Sequence, residues 1–466
     1  MSPYAPESVA PTRTDPVAAS ASEIIGGPLG RYAAPARRTE GSAWQPAAAV
    51  LAGLSSLTVA FGVLQKGHCF TKGWNNPDQF WHACYSDLPV SSDIGHAMPY
   101  LSGAPQVDQP LISGLVMWLV GLAVPDGSAL ARQQWYFALW AVLITLIVIA
   151  LVAVTAASVP RASWRAAHVA LSPVLVLAGL VSVDLLGVLL ASVALWAWGR
   201  NKSTLAGLSL GLAISARSYP LVLLVAIGLL AVRSGRVDAW RRLAATALAT
   251  WYVVSLPWLV TNADALLSVY RSWWRGGASY GSLWMVPGLL GQPVPQSRLT
   301  VLVIVGWLAA LAVGAFLALN LDRRPTVAEV SLVMLVIVVV TGKAVPVQAG
   351  LWLLPLIALV GLRWRDHLIW AGFEAINFVA VWLYIAGSST PDRGLPAGLY
   401  SVLLGLRLAA WLYVLVQVWR VARSRGPANP PEAVDQDVVD QGQEDEVDPL
   451  AGPMAGAPDQ VIARIG

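Results

Sequence analysis

The chain has little charge for its length. Of its 466 residues 12% are charged and 56% are hydrophobic, whereas a soluble domain carries about 25% charge. The hydrophobic residues form repeated runs near the length of a membrane crossing. The composition therefore excludes an ordinary soluble protein and indicates a polytopic helical membrane protein.

Other absences narrow the possible functions. The chain has no glycine-rich motif of the P-loop or dinucleotide-binding type, so nothing in it indicates a nucleotide cofactor. The net charge of +4 is small and gives no indication of a nucleic-acid partner. No repeat relates two halves of the chain, which weakens an interpretation as a transporter built from duplicated halves.

Arginine and lysine residues collect at the ends of the apolar runs. Because positive residues beside membrane spans stay on the cytoplasmic side, these clusters and both termini are predicted to be cytoplasmic, in a plasma-membrane protein. The runs predict an all-α transmembrane bundle of about 11–13 spans over residues 46–425. The predicted crossings lie near 46–64, 134–157, 167–180, 181–198, 204–217, 219–232, 243–260, 299–320, 327–341, 347–361, 367–387 and 398–419.

Several of these crossings are shorter than the ~20 residues that a straight span needs. They are therefore expected to be broken, or shielded by neighbouring helices. The run Leu111–Val124 does not fit the count, and we interpret it as a re-entrant or half-crossing segment.

Both ends of the chain are predicted to be disordered cytoplasmic tails. Residues 1–45 are rich in Ala, Pro and Ser and have no apolar core, unlike a signal peptide. Residues 426–466 form the second tail, with eight acidic residues and no basic one between Glu432 and Asp448. A regulatory or partner-binding role for this acidic tail stays open.

The longest polar stretch of the membrane domain is its first outer loop, residues 65–110. It contains both cysteines of the chain, Cys69 and Cys84. Outside the cytoplasm these can oxidise, and we predict a disulfide bond that stabilises the loop by roughly 3 kcal/mol. The alternative is two free, buried thiols. A large polar loop on an apolar scaffold is more typical of an active site than of a pore.

Several side chains of this loop have the chemistry of acids and bases. Asp87 follows Cys84 closely and is suited to a general base that takes a proton from a hydroxyl group. Asp93 and His96 share a face if their segment is helical, as a second acid/base pair, a structural pair or two metal ligands. Asp108 precedes the next apolar run, where an aspartate is often only a helix cap.

A metal site in this loop is a further alternative. His68, His82 and His96, together with the aspartates, are ligand types for zinc or manganese. Their spacings match no compact metal-binding signature. The prediction is therefore that the chain holds no metal, with a divalent metal as the lesser alternative.

Ionisable residues also stand at the predicted outer ends of apolar helices. Asp184 begins one crossing, Arg217 ends another, and Lys343 follows a third. Such groups at membrane depth usually line a site or a water-filled cavity. The two isolated cations, Arg217 and Lys343, are suited to a phosphate group, and the alternative is that they snorkel to lipid head groups.

The second large outer loop, residues 261–298, contains two further cations. Arg271 and Arg275 flank a pair of tryptophans and are candidates to bind a sugar or a phosphate by charge and stacking. An interfacial amphipathic helix would have the same pattern.

These features occur in an order that resembles a known family. The matching segments run from about Ala47 to Arg420. They are CYSDLPV with Asp87, DQPLISGLVMWL after the first loop, VSVDLLGVLLASVALW with Asp184, GLSLGLAISARSYPLVLL with Arg217, GSLW at Gly281–Trp284, and GKAVPVQAGLWLLPLIAL with Lys343. In this order the chain resembles the polyprenol-phosphate-mannose-dependent mannosyltransferases of glycosyltransferase family 87, in the GT-C superfamily of integral-membrane glycosyltransferases.

The resemblance implies an inverting transfer of a hexose from a polyprenyl-phosphate sugar, with mannose as the first candidate for the hexose. The implied acceptor is an envelope glycolipid, glycan or glycoprotein on the extracytoplasmic face, and the reaction generally needs no metal. The essential acidic residue is expected in the first outer loop, where Asp87 is the best match. Arg217 and Lys343 match basic positions that face the donor phosphate. The chain has Arg217 where lysine is expected, and Asp108-Gln109-Pro110 where an acidic-aromatic-proline run is expected.

Two other classes of protein stay open at this point. A transporter or lipid flippase predicts repeated halves and charges spread through the membrane midplane. A non-catalytic membrane scaffold predicts that Asp87, Arg217 and Lys343 are individually dispensable. Sugar transfer from a lipid-linked donor separates the enzyme from both, and transport into liposomes would favour the transporter.

Overall fold

The computed structural model describes residues 15–26, 44–90, 98–101, 108–424 and 448–462. Over these residues the protein is all-α and contains no β-strand, which confirms the predicted fold class. The α-helices are, in chain order, α1 (Pro16–Gly26), α2 (Gln45–Gln65), α3 (Gly67–Lys72), α4 (Asp78–Trp81), α5 (Asp87–Val90), α6 (Leu111–Gly121), α7 (Ala129–Ser158), α8 (Ala167–Ala170), α9 (Pro173–Ala178), α10 (Asp184–Gly199), α11 (Ser203–Ala216), α12 (Leu221–Arg233), α13 (Val237–Arg275), α14 (Met285–Leu289), α15 (Gln296–Asn320), α16 (Val327–Val340), α17 (Leu354–Val360), α18 (Trp364–Gly387) and α19 (Ala397–Ser424). Short 3₁₀ helices are Pro160–Ala166, Val347–Trp352, Pro391–Arg393 and Gly452–Met454.

Within the described residues, six helices are long and apolar enough to cross a membrane, namely α2, α7, α13, α15, α18 and α19. The protein is therefore a multi-pass membrane protein. The other predicted crossings are short helices; α11 and α16 have 14 residues each. At 1.5 Å per residue such a helix reaches about 21 Å, which is less than the roughly 30 Å of a hydrocarbon core.

Some of the short helices are shielded by their neighbours, as the sequence predicts for crossings of insufficient length, whereas α11 and α12 also have exposed leucines, Leu208 and Leu221. Nearly every side chain of α16 is buried. The single crossing predicted at 167–180 is instead divided into α8 and α9, because Ser172 and Pro173 begin a new helix and Ser172 Oγ caps it through Val174 N–H. The chain therefore changes direction where a continuous span was expected.

Helix α13 has 39 residues, more than the ~20 that a straight membrane span needs. It contains Pro257 and bends at Asn262, whose backbone has φ −158° and ψ 71°. Beyond this bend the chain stays helical as far as Arg275. Residues 261–275 of the predicted second outer loop are thus helical, as in the amphipathic-helix alternative, and its position at the membrane interface stays a prediction.

Helix α11 packs unusually closely against α13 through two glycines. A Cβ atom at Gly207 would lie 2.6 Å from the Leu243 carbonyl oxygen, and one at Gly211 would lie 2.5 Å from that of Ala247. Small residues four apart allow this approach of two backbones in a membrane. The contact fixes the position of the end of α11, where Arg217 follows.

The turns of the bundle gather at two ends. We call one the loop end; it consists of residues 66–90, 108–110, 179–183, 217–220, 276–295 and 341–346. Hydrogen bonds join these segments, such as Ser86 Oγ to the Leu180 oxygen and Ser279 N to the Lys343 oxygen. Each segment of the loop end was predicted to be extracytoplasmic.

We call the opposite end the basic end; it consists of residues 159–166, 200–202, 233–236, 321–326 and 361–363. The arginine clusters of the sequence lie in these turns or beside them. The Arg165 side chain packs against Gly361, and Arg233 bonds the carbonyl oxygens of Ala318 and Asp322. The grouping agrees with a common side for all these clusters, and which side is cytoplasmic stays a prediction.

The prediction of a disordered tail over 426–466 does not hold for residues 448–462. Leu450 and Met454 are buried against the basic end. Asp459 accepts hydrogen bonds from Arg233 and Arg324. Apolar side chains and a paired carboxylate thus hold this segment on the bundle, and the prediction failed because it generalised from the acidic residues before it.

The predicted disordered tail at residues 1–45 also contains structure. Residues Pro16–Gly26 form α1. Asp15 accepts hydrogen bonds from Val17 N–H at the start of α1 and from Trp364 N–H at the start of α18. The aspartate therefore caps two helix starts and ties this segment to the basic end.

Candidate active site

The first loop is closed on itself by a disulfide bond. Cys69, in α3, is bonded to Cys84, with 5.8 Å between their Cα atoms. Both cysteines are buried, and the Trp74 indole N–H donates to the Cys84 carbonyl oxygen over 3.1 Å. This cross-link fixes the residues that lead directly to Asp87.

The segment after the disulfide is bound to the turn before α10. Ser86 Oγ donates to the Leu180 carbonyl oxygen over 2.7 Å, and Asp87 N–H donates to that of Val181 over 2.8 Å. Since Asp184 begins α10 directly after this turn, the first loop brings Asp87 near Asp184. Asp87, Asp184 and Arg217 lie within electrostatic range of one another.

Asp87 is held by a phenol two residues earlier in the chain. Tyr85 Oη donates to Asp87 Oδ1 over 2.6 Å. Burial raises the pKa of the Asp87 carboxyl, while the Tyr85 hydrogen bond and the charges of Arg217 and Lys66 lower it in part. A carboxyl group with a raised pKa is a better proton acceptor than an exposed aspartate once it is ionised.

Lys66 is a member of the site that the sequence did not identify. Its side chain is fully buried at the end of α2, with Nζ donating to the Tyr85 carbonyl oxygen over 2.8 Å and standing 5.0 Å from the centre of the Phe378 ring. Burial lowers the pKa of Lys66 to about 7, against the charge of Asp87, which raises it. The available signal was a lone lysine at the end of an apolar run.

Asp184 and Arg217 form a buried ion pair, so the expectation that Arg217 is an isolated cation is wrong. Arg217 donates to Asp184 Oδ1 from Nη2 over 2.6 Å and from Nε over 2.9 Å. Ser182 Oγ and the Trp352 indole N–H complete the coordination of this carboxylate, at 2.7 Å each. The Asp184 carboxylate therefore neutralises and orients the Arg217 guanidinium.

Arg217 is also bonded to the residues that lead into α6. Its Nη1 donates to Gln109 Oε1 over 2.8 Å. Ser113 Oγ donates to the Ala216 carbonyl oxygen, and Tyr136 Oη donates to that of Met117. The predicted half-crossing is thus an 11-residue helix of about 16 Å that is hydrogen bonded to the end of α11 and to α7.

Lys343 has partners different from those of Arg217. Its buried Nζ donates to the Trp274 carbonyl oxygen over 2.6 Å and lies 4.6 Å from the centre of the Trp273 ring. It therefore caps the end of α13, where main-chain carbonyl groups lack helical partners, and the cation is favoured there.

The loop after α13 holds the backbone around Lys343. Ser282 Oγ donates to the Gly342 oxygen over 2.7 Å, and the Trp284 indole N–H donates to the Thr341 oxygen over 2.8 Å. Gly281 has φ +87°, and a Cβ atom there would collide with the Val345 carbonyl oxygen. The GSLW segment thus holds the backbone of residues 341–345 in place through these contacts.

The remaining predicted residues have different positions. Arg271 pairs with Asp264 over 2.5 Å, and Arg275 is exposed at the end of α13. Asp108 is not a helix cap, because Pro110 precedes α6; it accepts a long hydrogen bond of 3.5 Å from Ser272 Oγ. Asp93 and His96 lie outside the described residues.

A buried ion pair inside the spans was also missed. Glu374 of α18 accepts from Arg407 of α19 over 2.8 Å and from the Trp411 indole N–H over 2.6 Å. Arg407 also bonds the Val345 and Pro346 carbonyl oxygens. The sequence indicated this pair by placing a charged residue in each of two apolar runs. Through the bonds of Arg407, the pair holds the backbone just after Lys343.

The loop end thus combines two carboxylates with different surroundings. Asp184 is saturated by an arginine, a serine and a tryptophan. Asp87 is hydrogen bonded to a phenol and lies near two cations that favour its ionised form. Such a site can remove a proton at Asp87 and stabilise negative charge near Arg217.

Two comparisons relate the chain to known proteins. The family profile described as Glycosyltransferase family 87 matches residues 110–342, half of the 466-residue chain. The match includes Asp184 and Arg217, whereas Asp87 precedes it and Lys343 follows directly after it. ArnT from Cupriavidus metallidurans, in a crystal structure bound to undecaprenyl phosphate, is 15% identical over 73% of this chain and 72% of that chain, with a TM-score of 0.36. The comparison with curated proteins gave no match.

Proposed function

Since the chain belongs to glycosyltransferase family 87, we propose that it transfers a hexose, with mannose as the first candidate, from a polyprenyl-phosphate donor. The acceptor is a glycolipid, glycan or glycoprotein of the cell envelope. The observation that carries this proposal is the half-buried Asp87 carboxyl, bonded to Tyr85 and near the guanidinium of Arg217. A proton acceptor and a cation near each other are what the transfer of a sugar from a phosphate requires.

The proposed reaction is a single displacement at the anomeric carbon. Asp87 accepts the proton of an acceptor hydroxyl group as the oxygen of that group forms a bond to the anomeric carbon. The bond from this carbon to the phosphate oxygen breaks, and polyprenyl phosphate leaves. Attack opposite to the leaving group inverts the configuration of the sugar.

Arg217 is proposed to stabilise the charge that develops on the leaving phosphate. Its guanidinium is oriented by Asp184 and Gln109, so little reorganisation is needed when charge appears. Lys343 is proposed as a second cation for the donor phosphate, at the end of α13. With these two cations, no metal ion is needed at the reacting atoms.

The proposed orientation follows the positive-inside rule. The arginine-rich basic end lies in the cytoplasm with both termini, and the loop end faces the extracytoplasmic side of the plasma membrane. A donor with its isoprenoid chain among the lipids would bring its phosphate to the level where the helices end. The lipid part of the substrate thus stays in the bilayer while the sugar reaches Asp87.

The test is transfer of radiolabelled mannose from polyprenyl-phosphate-mannose in membranes that contain the wild type or Asp87→Asn, with native lipid extract as acceptor. We expect transfer by the wild type and a loss of at least about 100-fold in the variant, because general-base catalysis contributes about 10²–10⁴-fold. Asp126→Asn, at an exposed carboxyl of the loop end region, is the matched control and should retain activity.

Each outcome bears on a different part of the proposal. Full activity of a well-folded Asp87→Asn protein would refute Asp87 as the base while leaving the transferase. No transfer by the wild type with mannosyl, glucosyl and arabinosyl donors would contradict the lipid-phosphate donor itself.

A further inference from the structure

Three side chains of the first loop form a cluster apart from Asp87. His68 lies in α3, Asp78 begins α4, and His82 follows α4. One imidazole nitrogen from each histidine and one Asp78 carboxylate oxygen lie within 4.8 Å of one another. The Asp78 carboxylate lies at the edge of both rings, with Oδ2 2.7 Å from His68 Nε2 and Oδ1 3.3 Å from His82 Nδ1.

The covalent structure of the loop holds these side chains together. His68 directly precedes Cys69, and His82 stands two residues before Cys84, so the Cys69–Cys84 disulfide fixes both histidines. Their rings stack with centroids 3.5 Å apart and an angle of 13°. The disulfide therefore keeps both histidines beside Asp78, and one ring has to turn out of the stack before both can direct a lone pair at one ion.

The charges of the cluster favour a cation. A neutral imidazole offers one nitrogen lone pair to a cation. Asp78 adds a carboxylate beside both rings, with one oxygen close to a nitrogen of each. Two imidazoles and one carboxylate are donors that bind zinc and related ions.

The dimensions of the cluster are close to those of a metal site. Zinc binds nitrogen and oxygen at about 2.0–2.2 Å, which puts tetrahedral ligand atoms roughly 3.4 Å apart. The distance from His82 to the carboxylate is already 3.3 Å. For both imidazoles to bind one ion, one ring has to turn out of the stack and the His68–Asp78 contact has to open. The three side chains are 34–46% exposed, which leaves them room to rotate.

We propose that His68, Asp78 and His82 bind a divalent transition-metal ion, with Zn²⁺ as the first candidate and water as the remaining ligand. The ion joins α3 to the end of α4 and so reinforces the loop that leads to Asp87. This is a structural site; it does not depend on the proposed transfer reaction and takes no part in it.

The test is metal binding by the full-length, detergent-solubilised protein, purified with a histidine-free tag and treated with a chelator. Zn²⁺ is titrated by calorimetry, and Co²⁺ is titrated with detection of its visible absorption bands. We expect one equivalent of each ion and a rise of Tm with ion concentration. His68→Gln, Asp78→Asn and His82→Gln should each weaken binding by more than the roughly 10- to 100-fold that loss of an outer-sphere partner causes.

The matched control is Asp126→Asn, which removes an exposed carboxylate elsewhere and should leave binding unchanged. Absence of binding to the wild type would overturn the proposal. Binding that survives all three substitutions would overturn it as well, because the ion would then be held elsewhere. The three side chains are partly exposed, so each variant is expected to fold, and the Tm of each apo-variant verifies this.

Discussion

At the scale of single residues, the main feature of the site is that its two aspartates have different surroundings. Asp184 accepts hydrogen bonds from an arginine, a serine and a tryptophan, and it orients Arg217. Asp87 is bonded to the Tyr85 phenol and has its pKa raised by burial. Environments that separate the roles of two carboxylates are typical of acid–base sites.

Tyr85→Phe is predicted to move the acid limb of the pH profile of kcat/KM to higher pH. The phenol stabilises ionised Asp87, so its removal raises the pKa of this carboxyl further. A general base is inactive when it is protonated, and activity is lost as the pH falls through its pKa. A hydrogen bond to a charged group contributes about 1.5–3 kcal/mol, which corresponds to a shift of at least about one pH unit.

The control for this prediction is Tyr136→Phe. It removes a buried phenol that donates to the Met117 carbonyl oxygen and does not contact Asp87, so it should lower stability without moving the limb. If Tyr85→Phe lowers activity equally at every pH, then the titrating base is a group other than Asp87.

Part of this site could be predicted from the sequence. The positive-inside rule correctly grouped Asp87, Asp184 and Arg217 at one end. The pairing of Asp184 with Arg217 was missed, although α10 and α11 have similar lengths of 16 and 14 residues and are joined by a tight turn. Two antiparallel helices of similar length bring the start of the first to the end of the second. Lys66 was missed because a lysine beside a span usually snorkels.

At the scale of elements, the site depends on short helices that the long ones position. Arg217 directly follows α11. The position of this helix in the bundle is fixed by the contacts of Gly207 and Gly211 with the backbone of α13. The approach is possible because neither position has a side chain. Any atom added at these positions must displace α11, and Arg217 with it.

Gly211→Ala is predicted to lower both stability and transfer activity. Its Cβ would lie 2.5 Å from the Ala247 carbonyl oxygen and 2.7 Å from Thr250 Cβ, and overpacking of this kind costs about 1–3 kcal/mol. The matched control is Gly405→Ala in α19, where the added Cβ meets nothing within 4 Å. This control should be neutral, or stabilise the helix by about 0.5–1 kcal/mol.

The measurements are the Tm in detergent, from tryptophan fluorescence, and the rate of sugar transfer. Equal effects of the Gly211 and Gly405 substitutions on both quantities would show that the close contact of α11 with α13 does not position the site.

The elements themselves were well predicted where hydrophobicity alone decides. The runs that became α2, α7, α15, α18 and α19 follow from apolar length, as does the shortness of α11 and α16. The helical course of α13 beyond Asn262 was only one of two alternatives, because its polar and aromatic residues fit a loop as well as an amphipathic helix. Its position depends on tertiary contacts, such as Lys343 with Trp273 and Trp274, which no local pattern encodes.

At the scale of the whole molecule, the two ends are held by different means. A disulfide and many hydrogen bonds to main-chain oxygens hold the loop end, whereas arginines hold the basic end. Arg233 is fully buried there and bonds the Ala318 and Asp322 oxygens as well as Asp459. The segment 448–462 thus joins helices that are far apart in the chain.

The docking of this segment marks a limit of prediction from composition. Eight acidic residues between Glu432 and Asp448 indicate a solvated tail, and the later residues were grouped with them. Leu450 and Met454 are the apolar residues that distinguish the later segment from the acidic stretch, and both are buried. Whether such a short apolar segment packs on the protein depends on the surface that the helices of the bundle form. The sequence of the tail alone gives no information about that surface.

Asp459→Asn is predicted to destabilise the protein and to release this segment. The substitution leaves the buried Arg233 guanidinium and the neighbouring Arg324 without their carboxylate, and breaking a buried pair costs up to about 3–5 kcal/mol. The amides of Gln460 and Val461 bond the Arg233 carbonyl oxygen, so hydrogen exchange at these two residues should accelerate as the Tm falls. Asp238→Asn is the control, because Asp238 pairs with Arg241 at the surface, where such a pair contributes about 0–1 kcal/mol. Equal Tm values for the two variants, with exchange at Gln460 unchanged, would mean that the apolar side chains alone hold the segment.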